Sequence, residues 1–144
     1  MEKDTNLDTI NEVYRNASLA VLSISKVVDD VSDTGLKKEI LKEYDGYEKF
    51  ISELTRYMQE KGYEIKDAGV MKKAMMTSGI KMNTLMDDSR EHIAQIMVKG
   101  TVMGITELCK LLNSPTCSDK TILEYAEKLK ALQEQYEENL KKFL

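Results

Sequence analysis

Apolar residues recur at three- and four-residue steps along almost the whole chain, and no segment alternates apolar with polar as a half-buried strand would. Leu7, Ile10, Val13, Tyr14, Ala17, Val21, Ile24, Val28 and Val31 define one face and predict a helix over 6–32. Gly35, after Ser32, Asp33 and Thr34, offers that helix a left-handed stop. Leu36, Ile40, Tyr47, Phe50, Ile51, Leu54, Tyr57 and Met58 repeat the spacing and predict a second helix over 35–61, ended by Gly62. After the short connection YEIKDAG the period resumes and predicts a helix over 69–86. Asp88 with Glu91 three residues later reads as a capping box that opens a helix over 89–113. Asn113 to Asp119, with Pro115 at its centre, is the clearest loop in the chain. Ile122, Tyr125, Leu129, Leu132, Tyr136, Leu140 and Phe143 then predict a last helix over 119–143.

Four long helices, joined by short turns within the first pair and within the last pair, make antiparallel neighbours. The 69–86 segment, about 26 Å long at 1.5 Å per residue, has the length of a crossover between the second and third long helices. The expected fold is therefore all-α, one domain over 1–144, a four-helix bundle with an additional crossover helix. This arrangement resembles the ferritin-like superfamily. Through LDTINEVYRNA, MNTLMDDSREHIAQIMVKG and GTVMGI the chain also resembles small ferritin-like bundle proteins of Firmicutes that lack the diiron ligand set.

Composition narrows the function. With 144 residues, 42% of them hydrophobic and 32% charged, the chain is long enough for a self-sufficient core and far from the composition of disorder. A net charge of −4, with lysines and acids interspersed, leaves no basic stripe for nucleic acid. No apolar run has the length of a membrane span and the polar start MEKDTNLDT is no signal-peptide core, so a cytoplasmic location is expected. Cys109 and Cys117, eight apart, match neither a redox pair nor a zinc knuckle and read as free thiols.

Functional ferritin-like members hold two metal ions with a Glu on each of two helices and Glu-x-x-His on each of the other two. Glu43 shares the inward face of Ile40, Tyr47 and Leu54, but Gly46 stands where the histidine belongs. The last helix offers Gln133-x-x-Tyr136. Glu107 lies at the edge of its apolar face, and Glu12 points away from the core arc. The single histidine, His92, falls at a predicted exposed helix start among Asp88, Arg90 and Glu91, where it serves neither a metal nor a nucleophile. No metal and no cofactor are therefore expected, and Glu43 with Tyr47 reads as a buried polar pair, the acid hydrogen-bonded to a tyrosine.

Two further features bear on partners. Met71, Met75, Met82 and Met86 lie within a narrow arc of one helix face. They read as core, with an adaptable apolar groove or a soft-metal site as alternatives. Gly100 and Gly104, flanking Thr101 in VKGTVMGI, each cost a helix roughly 1 kcal/mol relative to alanine. Placed on the face of Met97, Leu108 and Leu111, they predict a close helix crossing, with a backbone opening that admits a ligand and tolerated exposed glycines as alternatives. The expected function is a non-enzymatic structural or protein-interaction module that forms a homodimer, without nucleic-acid or membrane partners. The alternatives are a metal- or cofactor-binding protein with atypical ligands and a carrier of a small apolar ligand in a Met-lined cavity.

Overall fold

The structure, a computed structural model, describes residues 2–66 and 87–144. Four helices pack together, and no strand occurs among the described residues. They are α1 (Glu2–Val27), extended by a 3-10 turn at Val28–Asp30, α2 (Thr34–Lys61), α3 (Arg90–Asn113) and α4 (Lys120–Lys141). The helix predicted over 69–86, with Met71, Met75, Met82 and Met86, lies outside the described residues.

Local chemistry explains the boundaries. Gly62 has φ 73° and ends α2 in a Schellman motif: its N–H donates to Gln59 O, and Tyr63 N donates to Met58 O at 2.8 Å. Gly35, by contrast, does not stop α1. It lies inside the first turn of α2 without a positive φ, and Asp33 caps that turn by accepting from Leu36 N at 2.9 Å. α1 instead tightens into its 3-10 turn and leaves through extended Val31. The opening of α3 also differs from the predicted capping box: Ser89, not Asp88, is the N-cap, and its hydroxyl accepts from His92 N at 3.3 Å. Asp119 caps α4 through Thr121 N at 3.0 Å.

α1 packs on α2 and α3, and α4 packs on α3 and α2, with further contact between α1 and α4. Hydrogen bonds fix the directions. The Oδ1 of Asn6, near the start of α1, accepts from Ser118 N and Asp119 N at the start of α4, and Tyr57 near the end of α2 reaches the same Asp119. α3 and α4 are joined by a short loop, so α2 and α3 both finish at this end and run parallel, as do α1 and α4, while the α1–α2, α1–α3, α2–α4 and α3–α4 pairs are antiparallel. Ile10, Ile40, Leu54, Ile93, Ile122 and Leu129 are fully buried between the helices, each contributing about 2 kcal/mol on removal from water. Beyond Gly62 the chain is tied to α1 by Asn11: its amide donates to Glu64 O at 2.9 Å and accepts from Lys66 N at 2.8 Å. None of the described helices is long and apolar enough to cross a membrane.

Candidate functional site

The helical period of α2 sets Ile40, Glu43, Tyr47, Phe50 and Leu54 on one stripe, all buried, so an acid is carried into the middle of the bundle. Glu43 is 1% exposed. Burial first, then the hydrogen-bonded Glu39 carboxyl one turn before it, pushes its pKa up to about 10. At neutral pH Glu43 is therefore a carboxylic acid that shares its proton with Glu39, and Glu39 in turn accepts from Asn139 Nδ2 of α4 at 3.2 Å. The other oxygen, Glu43 Oε2, is buried without a partner among the described residues.

Around this acid all four helices contribute to one polar centre. Gln133 of α4 donates through Nε2 to Asn16 Oδ1 of α1 at 2.7 Å, and Asn16 Nδ2 donates to Gly104 O of α3 at 3.0 Å. The Tyr47 hydroxyl of α2 hydrogen-bonds to Gln133, and burial with the neighbouring Glu43 raises its pKa. Tyr136 of α4 stands edge-on to Tyr47, with ring centroids 5.2 Å apart. Its hydroxyl occupies the space above Gly46, where any Cβ would overlap it. Gln133 Oε1 is a second buried acceptor without a partner among the described residues. The ensemble holds a proton and neutral amides, with no nucleophile and base in contact.

A second polar cluster closes the end of the bundle. Asp119 Oδ2 accepts from Tyr57 Oη at 2.6 Å and from Tyr63 Oη at 2.9 Å, while its Oδ1 caps α4. Partial burial opposes its charge, but the two phenols and the backbone N–H of Thr121 outweigh burial and hold the carboxyl below its ordinary range. Cys117 Sγ approaches Asp119 O at 3.9 Å, and both cysteines are free and half-buried. A depression of about 340 Å³ nearby is lined by Thr55, Met58, Gln59, Tyr63 and Ile65, and its one phenol is already engaged by Asp119.

The predicted site residues separate accordingly. Glu43 and Tyr47 lie together in the centre, but the hydrogen-bonded partner of the acid is Glu39 and not a tyrosine, and the Tyr47 hydroxyl is bonded to Gln133. Gly104 lies against Gln133, whose Nε2 would stand 2.8 Å from an added Cβ. Thr101 is buried and bonds back to Met97 O at 2.7 Å. Gly100 differs from Gly104: it is exposed, and among the described residues no atom lies within 4 Å of where its Cβ would be. Four residues advance a helix by 40°, enough to carry Gly100 past the rim of the contact that Gly104 occupies. His92 sits in the first turn of α3 beside Asp87, about 18 Å along the helix from Gly104. Sequence reasoning missed Asn16 and Gln133 as partners, since a lone amide on an apolar stripe does not reveal what faces it.

Among the described residues no three His, Cys, Asp or Glu side chains come together as metal ligands. Comparison with family models, with curated proteins and with solved structures returns no match.

Proposed function

We propose that the chain is a non-enzymatic ferritin-like bundle acting as a structural or protein-interaction module, a homodimer in the cytoplasm. The carrying observation is the four-helix polar centre: the amide N–H groups of Gln133 and Asn16 are directed to Asn16 Oδ1 and Gly104 O. The parallel course of α2 and α3 supports the ferritin-like reading, because parallel helices adjacent in sequence need a connection that returns along the bundle. Diiron bundles build their centre from Glu on two helices and Glu-x-x-His on two. The corresponding stretches here are Asn16 on α1, Glu43-x-x-Gly46 on α2, Gly104 on α3 and Gln133-x-x-Tyr136 on α4. Tyr136 fills over Gly46 the room a ligand histidine would need.

Metal binding through atypical ligands is the second reading, favoured by the unpartnered Glu43 Oε2 and Gln133 Oε1. One experiment separates the two. Protein purified without chelator is measured by native mass spectrometry and elemental analysis, then melted with and without Fe(II) or Zn(II). The proposal expects metal-free dimers and an unchanged melting temperature. A rise of several degrees that Glu43→Ala abolishes assigns the metal reading instead.

A further inference from the structure

Gly100 stands in the middle of α3, ten residues after its first, with no positive φ and no described atom within 4 Å of its absent side chain. It costs helix stability of roughly 1 kcal/mol and, among the described residues, receives no contact in return. One turn on, Met103 is 70% exposed, the most exposed of the large apolar side chains described. Asn16 bonds to Gly104 O, and α1 runs antiparallel to α3, so Leu19 of α1 comes level with Thr101, one residue from Gly100, and adds a second exposed apolar side chain, 38% exposed. Ile96, Lys99, Gly100, Met103, Glu107 and Lys110 fall within one arc of about 100° centred on Met103. The face has a knob, a notch beside it, and opposite charges four residues to either side of the knob.

That charge pattern selects the partner. Two copies of α3 crossing antiparallel about a two-fold axis at Met103 bring residue 99 of each opposite residue 107 of the other, so Lys99 meets the partner's Glu107 twice. Each Met103 then enters the space beside the partner's Gly100. Resting on the homodimer reading above, we infer that the exposed face of α3, with Leu19 beside it, is a self-complementary two-fold interface for a second copy of this chain.

Sedimentation equilibrium of the full chain over micromolar to millimolar concentration tests it, with circular dichroism to confirm that every variant is folded. Met103→Glu and Gly100→Leu should each weaken dimerisation at least about ten-fold, or about 1.4 kcal/mol, while leaving the monomer folded, since Met103 is exposed and no described atom lies within 4 Å of a Cβ at Gly100. Lys99→Glu and Glu107→Lys should each be monomeric alone, because each sets like charges opposite one another. The double variant should dimerise again, and an equimolar mixture of the two single variants should form heterodimers. A monomeric wild type overturns both the homodimer reading and this surface. A dimeric wild type indifferent to Met103→Glu and to the charge reversals overturns the surface alone.

Discussion

At the end of the bundle Asp119 keeps its charge beneath two phenols, whereas in the middle Glu43 gives up its charge beside two others. Both clusters combine a carboxyl, tyrosines and an amide drawn from separate helices. The hydrogen-bond partner of each carboxyl decides the outcome. Tyr57 and Tyr63 donate to Asp119, and each donation stabilises the anion against partial burial. The Tyr47 hydroxyl is hydrogen-bonded to Gln133, and the group bonded to Glu43 is another carboxyl, which adds to desolvation; Lys42 is too small a counterweight, so the proton stays. Residue types alone do not fix an ionisation state; hydrogen-bond partners and solvent access do.

The largest effect that tests this contrast is on pH dependence. Unfolded Glu titrates near 4.3, whereas folded Glu43 titrates near about 10. Between those values the native state holds a proton that the unfolded state has lost, so stability falls as pH rises, by up to about 1.4 kcal/mol per pH unit. Glu43→Gln, a neutral isostere, should remove that slope. Urea unfolding from pH 5 to 9 should show its stability gaining steadily on wild type, and parallel curves would refute a protonated Glu43. Asp119 acts in the opposite sense: its folded pKa is depressed, so its contribution is present above about pH 4 and lost as pH falls through the folded value.

Next in size, Gly46→Ala should destabilise by about 3 kcal/mol through overlap with the Tyr136 hydroxyl. Adding Tyr136→Phe should recover most of the loss, and absence of rescue in chemical denaturation would remove Tyr136 from above Gly46. At the end cluster, Asp119→Ala should cost about 2 kcal/mol, the sum of a lost helix cap and two phenols left without an acceptor. Its loss should shrink below pH 4, unlike that of Gly46→Ala. The smallest effect belongs to Gly104→Ala, about 1 kcal/mol by the same measurement, because the added methyl meets only the movable end of Gln133 and displaces its bond to Asn16.

The long periodic segments were legible because burial and helical period coincide: α2 and α3 match the predicted 35–61 and 89–113 to within one residue at either end. Glu43 was legible for the same reason, lying in register with Ile40, Tyr47 and Leu54. The errors fall where neighbouring residues compete for one task. Asp33 and Gly35 both suit the turn after α1, and Asp33 decides it by capping α2. Asp88 and Ser89 both suit the start of α3, and the hydroxyl of Ser89 makes the bond. Gly100 and Gly104 share a spacing but not an environment, because the contact with Gln133 is one side chain wide. The Asn16–Gln133 bond spans 117 residues, and no local pattern encodes a meeting at that separation.

The tie between Asn11 and the 64–66 backbone bears on the order in which the chain assembles during synthesis. Its partners are at most 55 residues apart, so it can close as soon as Lys66 has left the ribosome, joining the far end of α2 to α1. The Asn6–Asp119 and Asn16–Gln133 bonds span 113 and 117 residues and must wait for α4. The first hairpin thus emerges already latched, with the apolar stripe that includes Ile40 and Leu54 still uncovered, and the later pair docks onto a preset template rather than searching for one.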